Sequence, residues 1–499
     1  MELPIGENLK DALVKLREMD FARIIWIDAI CINQDDIKER NHQVHIMQTI
    51  YSKAAEVIVW LGPGSWEADK AMELIEQCNL NGIEKLLDHE EDSLIGLSDI
   101  FMRSWWKRIW IVQEVVAARD LVIHCGTRRV PWHFVAKICR EIRRKEFSQN
   151  AKSQILRSSG YRNFTALNDF RRERMSLAKC LQYTRDYEAT DMRDKLYALL
   201  GVASDISPED IVPDYTKSTR TVFLDLVHFL ATRRRSLDII SAGRHLRPST
   251  TPARSQLQPG DKTPSWLADW HVSQGLRPLD SEGMDKASYC ASRGANAVVR
   301  MDAFPMALEV EGVLVDKIDF FGEAITSSAQ DSLPTLRRWQ YIAGLQDLHL
   351  VSGSRFGVVT PPDFWTTIVA GKNYMATWVK NRHATEESEA LEYATQSYVA
   401  GDLPPEMWES QYLAHAITRA VMGRRFFTTA KKRMGLGVPD IQLEDRVVVI
   451  KGCSVPLILR DMGEHMVIVG ETYVSGIMDG EVIKGLGEGR YETRMIRLQ

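Results

Sequence analysis

Residues 24–61 read IIWIDAICINQDDIKERNHQVHIMQTIYSKAAEVIVWL, and no other stretch constrains the fold as tightly. Residues 23–27 are a short apolar run rich in β-branched side chains, the composition of a strand buried on both faces. A polar turn follows over 28–34. Asp36 then stands three residues ahead of Glu39, an acidic variant of the capping box, and predicts a helix start. That helix carries Val44, Met47, Tyr51 and Ala54 along one face. Residues 56–61 (EVIVWL) are a second buried strand, closed by Gly62, Pro63 and Gly64. Helical patterns over 7–19 and 65–78 flank the two strands, and the alternation predicts an α/β domain with a doubly wound parallel sheet.

Residues 103–118 (RSWWKRIWIVQEVVAA) are helical by period, with Trp106, Trp110, Gln113 and Ala117 near one face. A strand over 121–125, a turn at Gly126 and a helix opened by Pro131 complete a first domain, 1–145. Residues 146–175 are polar and weakly patterned, and helices are predicted over 177–187, 193–200 and 218–233, giving a helical region over 146–245. Residues 246–264, rich in Pro, Ser and Thr, read as a linker. Beyond it, strands are predicted over 307–320, 425–429, 446–451, 456–460, 465–469 and 473–477, at the close spacing of a small β-barrel or sandwich. This module, 265–499, carries a helical insertion over 330–420.

The balance of 63 basic against 67 acidic residues, net −4, disfavours a nucleic-acid partner. Seven scattered cysteines without a CxxC pair suggest a reducing compartment, and no apolar run reaches the roughly 18 residues of a membrane span. The chain is read as cytoplasmic, with no membrane partner. His42 and His45 lack the HExxH arrangement, so no metal site is predicted, and no P-loop, G-x-S-x-G or dinucleotide loop is found.

In open α/β sheets ligands bind beyond the carboxyl ends of strands, which singles out Asp28, Cys31, Asn33 and Gln34. Asp28 is read either as a ligand group or as a carboxylate accepting N–H bonds in its own turn. Asn33 is read as a nucleotide contact or a turn residue, and Cys31 as a small buried apolar residue.

Residues 26–62 and 103–126 together closely resemble the fungal heterokaryon incompatibility (HET) domain family. Residues 189–205 (ATDMRDKLYALLGVASD), 212–218 (VPDYTKS), 264–270 (PSWLADW) and the C-terminal strands resemble segments found in long members of that family. The family's opening Y-x-x-L-S-Y-x-W-G strand is not seen here, so the resemblance implies an incomplete sheet and an N-terminal domain that folds poorly. The family is thought to be remotely similar to TIR domains, whose nucleotide-hydrolysing members carry a catalytic glutamate in a W-C-x-x-E helix. Trp110 and Glu114 match that spacing without the cysteine. The resemblance therefore implies Glu114 as the catalytic group beside Trp110, and the nucleotide-binding candidates are Trp110, Asp28 and Asn33 at the strand end, and Trp106 as an adenine-stacking ring in an aromatic-dense segment. NAD would be a substrate, with no cofactor. The competing reading of these residues is an ion pair of Glu114 with Arg108 or Arg119, and tryptophans in the core.

Two functions follow as expectations. One is an immune-type incompatibility effector in fungal self/non-self recognition and programmed cell death, binding or hydrolysing an NAD-like nucleotide. The other is a non-catalytic module acting by homotypic association. Both imply protein partners.

Overall fold

Val57 and Val59 alternate with half-buried neighbours, the pattern of a strand with one face in the core. A computed structural model of the chain describes residues 5–17, 22–81, 91–144, 155–156, 158–241, 263–268, 270, 279, 289–301, 307–327, 331–345, 362–371, 395, 397–400 and 408–499. Two units emerge, Met1–Val222 and Phe223–Gln499. Most of the 246–264 linker and much of the 330–420 insertion lie outside the described residues.

In the first unit the helices are α1 (Glu7–Leu16), α2 (Asp28–Cys31), α3 (Ile37–Lys53), α4 (Trp66–Asn81), α5 (Glu91–Met102), α6 (Ile111–Ala117) and α7 (Trp132–Arg144). Its strands are β1 (Val57–Trp60), β2 (Leu121–Cys125) and β3 (Arg128–Pro131). β1 pairs β2 in parallel, Val57 opposite Leu121, and β2 returns antiparallel into β3. The return is a two-residue hairpin turn, and Gly126 within it takes φ +58°, a conformation that favours glycine.

This small mixed sheet corrects the doubly wound parallel sheet expected from the sequence. Residues 23–27, expected as a buried strand, join no ladder, and Ile24 is 101% exposed. An apolar run becomes a strand only when a neighbour takes its N–H and C=O groups. Residues 103–118 are not one helix either. Ser104–Lys107 forms a 3₁₀ turn, Arg108 is extended, and α6 starts afresh after Trp110. The weakly patterned stretch hides the helix Ser159–Arg172, which buries Tyr161, Phe164, Leu167 and Phe170. Phe164 meets Trp106 and Trp132 edge-on and tilted, at 5.6 and 4.7 Å between ring centroids.

The second unit is built around β5 (Leu308–Ala324), preceded by β4 (Val299–Met301). It continues with β6 (Arg425–Thr429), β7 (Met434–Gly437), β8 (Arg446–Ile450), β9 (Leu457–Asp461), β10 (Met466–Glu471), β11 (Tyr473–Val474) and β12 (Arg494–Leu498). β5 is long enough to serve several partners in turn: β4 and β12 near its start, β8 in its middle and β6 at its end. β12 pairs β10, β10 pairs β9, β9 pairs β8, and β8 returns to β5, so the pairings close on themselves. The helices Leu333–Leu345, Pro362–Ile368 and Trp408–Val421 lie between β5 and β6, and Trp339 and Phe364 pack on Phe426.

Candidate functional site

α3 begins as its sequence dictates. Asp36 Oδ1 accepts the N–H groups of Lys38 and Glu39, at 2.9 and 3.2 Å. Glu39 does not close the box on Asp36; its Oε1 accepts the N–H of Asn33, 2.9 Å away. Val44 and Met47 are buried, and the last turn carries Tyr51 beside them. α6 lies against α3 and is buried all round: Ile111, Val112, Gln113, Glu114 and Val115 have almost no exposure. Arg171 caps its far end by donating to the carbonyl oxygens of Val115 and Ala118.

Glu114 is therefore a carboxyl inside the unit, 9% exposed, rather than the surface partner of an arginine. Burial pushes its pKa up. Arg108 pulls it back down, Asp28 pushes it up again, and a hydrogen bond from Trp105 lowers it. Tyr51 reports the same neighbours. Burial raises its pKa well above the ordinary value, Glu114 and Asp28 raise it further, and Arg108 opposes them. Asp28 and Arg108 thus both bear on Tyr51 and Glu114, and the four form one polar cluster. The Trp26 ring stands edge-on to Tyr51 at 5.7 Å and walls one side. Asp28 Oδ1 also accepts the N–H of Ala29 at 2.8 Å, so it serves its own turn while facing the cluster.

The two carboxyls stand in unlike environments, Glu114 buried and Asp28 half-exposed. An adjacent guanidinium and two aromatic rings add an anion contact and a stacking wall.

The cluster does not gather every residue singled out by the sequence. Trp106 is fully buried among Phe101, Trp105, Trp132 and Phe164, and its indole N–H goes to the carbonyl of Ile100 at 2.8 Å. It belongs to the core. Asn33 is exposed, and its Oδ1 accepts the N–H of Asp35 at 3.2 Å, the work of a turn residue. Cys31, expected inside, is exposed. Trp110 keeps its place one helical turn before Glu114, whose N–H it accepts at 3.2 Å. Its indole N–H, however, goes to Asp194 Oδ2 at 3.1 Å.

Asp194 opens a second network that residue-type reasoning missed. It begins the helix Asp194–Leu200, and Tyr215 donates its hydroxyl to Asp194 Oδ1. Burial raises the Asp194 pKa, partly offset by the Tyr215 and Trp110 hydrogen bonds. The Arg40 guanidinium sits 3.6 Å above the Tyr215 ring. Arg193 is held by Asp191, at 2.7 Å, and donates to the carbonyls of Tyr215 and Lys217. Asp191 is buried enough to raise its pKa, but these bonds to Arg193 outweigh burial and lower it. The signal available in the sequence was the pair of segments 189–205 and 212–218, whose polar residues meet only in three dimensions.

Past the carboxyl end of β1, at residues 62–64, the corner is closed by backbone. Gly126 donates its N–H to the Gly62 carbonyl at 3.0 Å. A Cβ on Gly126 would lie 2.7 Å from the Gly64 nitrogen. Arg103 covers the same corner, donating to the Pro63 carbonyl and to Asp99. The polar cluster sits instead between α2, α3 and α6.

Among the described residues, no group of three or more His, Cys, Asp or Glu side chains is placed to hold a metal ion, and no helix is long and apolar enough to cross a membrane. Residues 1–114 match the family described as Heterokaryon incompatibility protein (HET), and residues 370–490 match the Het-6 beta-barrel domain. The protein "Heterokaryon incompatibility protein 6, OR allele" of Neurospora crassa is 24% identical over 589 residues, spanning 96% of this chain and 85% of that protein. No solved structure matches the chain.

Proposed function

We propose, from the premise that this chain belongs to the heterokaryon incompatibility family, that it acts in fungal self/non-self recognition through a nucleotide site centred on Glu114. Both matched domains and the Neurospora relative support the incompatibility role. The observation that carries the site is Glu114 itself: a buried carboxyl with raised pKa, one turn from Trp110, facing Asp28, Tyr51 and Arg108. Perturbed carboxyls of this kind concentrate where proteins do chemistry. The W-x-x-x-E pair on a buried helix also supports a remote kinship with TIR domains.

The substrate class is an NAD-like dinucleotide, and the reaction is hydrolysis of its nicotinamide–ribose bond. Approach of the pyridinium cation favours ionisation of Glu114, whose proton passes to solvent, because a nearby positive charge lowers a carboxyl pKa. The carboxylate then faces the positive charge that develops on the ribose as the C–N bond breaks. The electron pair of that bond leaves with nicotinamide, water adds to the ribosyl cation, and Asp28 takes the released proton. Arg108 meets a phosphate oxygen. Death of the incompatible cell follows from loss of the dinucleotide in the cytoplasm.

The test is NAD loss and nicotinamide release by the purified full chain, with and without Glu114→Gln. Release that Glu114→Gln lowers by at least about a hundredfold supports the site. Equal, background-level release from both overturns it. The second reading, association without catalysis, is favoured by the exposed side chains of Ile24, Ile30 and Ile37. Toxicity that survives Glu114→Gln and is lost in Ile24→Asp would select it.

A further inference from the structure

We propose that Asp194 is a positioning residue for Glu114, acting through the Trp110 indole; the inference rests on the nucleotide-site reading above. Asp194 is 6% exposed, and both of its oxygens are committed, Oδ2 to the Trp110 N–H and Oδ1 to the Tyr215 hydroxyl. The acceptor is itself held in place. Arg40, from α3, lies over the Tyr215 ring and 4.0 Å from Asp194 Oδ1. Asn41 Oδ1 accepts the Tyr215 backbone N–H at 2.9 Å. Asp194 and Tyr215 both lie beyond the stretch 1–114 matched by the HET family.

What this grip controls is rotation. Trp110 precedes α6 directly, and its carbonyl accepts the N–H of Glu114. α6 has only seven residues, and apart from Arg171 at its far end its orientation rests on apolar packing. A carboxylate about 6 Å from that axis moves by about 1 Å for a turn of about 10°. Displacements of that size cost up to about a hundredfold in rate when the group must meet a reacting atom. Tying one indole to a buried carboxylate removes that freedom one turn before Glu114.

The experiment measures kcat and KM for NAD loss by the full chain. Asp194→Ala and Trp110→Phe each lower kcat about tenfold or more, with KM within about twofold. Asp194→Asn keeps most of the rate, because its amide oxygen still accepts the indole N–H. The double variant Trp110→Phe/Asp194→Ala is no slower than the worse single, since both break one link. Should Asp194→Ala fail to fold, Trp110→Phe and Asp194→Asn carry the comparison. An unchanged kcat in Trp110→Phe, or additive losses in the double variant, overturns the inference while Glu114→Gln remains inactive. No difference between wild type and Glu114→Gln overturns the nucleotide-site reading and this inference together.

Discussion

Glu114 in the first unit and Glu471 in the second are both buried glutamates, and they are treated in opposite ways. Glu471 Oε1 meets Arg424 at 2.8 Å, with the two side chains 2% and 1% exposed, and accepts the Leu279 N–H at 2.7 Å. Its charge is answered on the spot. Glu114 takes a neutral hydrogen bond from Trp105 instead, and Arg108 acts on it while itself remaining exposed. A buried carboxylate paired this tightly is committed to structure. One whose pKa burial raises and no close cation restores has the character that functional sites favour.

The contrast can be broken first at Arg424. Arg424→Ala leaves Glu471 buried and uncompensated, and should cost the second unit about 3–5 kcal/mol, read as a lower Tm in thermal melts of the full chain. A loss below about 1 kcal/mol would show that water reaches the pair. Arg424→Met with Glu471→Leu should recover part of this, losing about 1–3 kcal/mol because the Leu279 N–H is left without its acceptor.

Glu114→Gln should move stability the other way. A carboxyl whose folded pKa is raised above its ordinary 4.5 binds more protons folded than unfolded. Its stabilising contribution is complete below that ordinary value and is lost as pH rises through the folded value. Urea titrations should therefore show Glu114→Gln gaining on wild type from pH 4 toward pH 7, by less than the Arg424→Ala loss. A constant difference across that range would place the Glu114 charge in solvent. The smallest effect belongs to an exposed carboxylate doing neither job: Asp36→Ala, which removes the acceptor for Lys38 and Glu39, should cost about 1 kcal/mol and speed amide exchange in the first turn of α3.

The second unit was the more legible of the two in the sequence. β6 was read at its full length, 425–429, and β8, β9 and β10 to within a residue or two, because alternation and glycine turns are local signals. The first unit defeated local reading twice. Residues 23–27 have strand composition without strand pairing, which depends on a neighbour. The 3₁₀ turn Ser104–Lys107 breaks a run that looks continuous by period, because Arg108 and Ile109 bridge to Glu188. The site was half legible. Trp110 and Glu114 showed through their spacing, but Tyr51 looked like a core position on α3, and Asp194 and Tyr215 stood out only as parts of family-like segments. Polar side chains far apart in sequence announce a shared network only once the helices have packed.

The long strand β5 carries a cost in time as well as a gain in pairing. Its first residue, Leu308, faces Leu498 in β12, and Lys317 faces Arg446 in β8. The ring of strands therefore closes only after nearly the whole second unit has left the ribosome. Until then β5 presents a long row of unsatisfied N–H and C=O groups flanked by Val310, Val313 and Val315. Synthesis of this chain passes through a sticky interval, and slowing translation after residue 324 should raise the aggregated fraction in a cell-free system without chaperones.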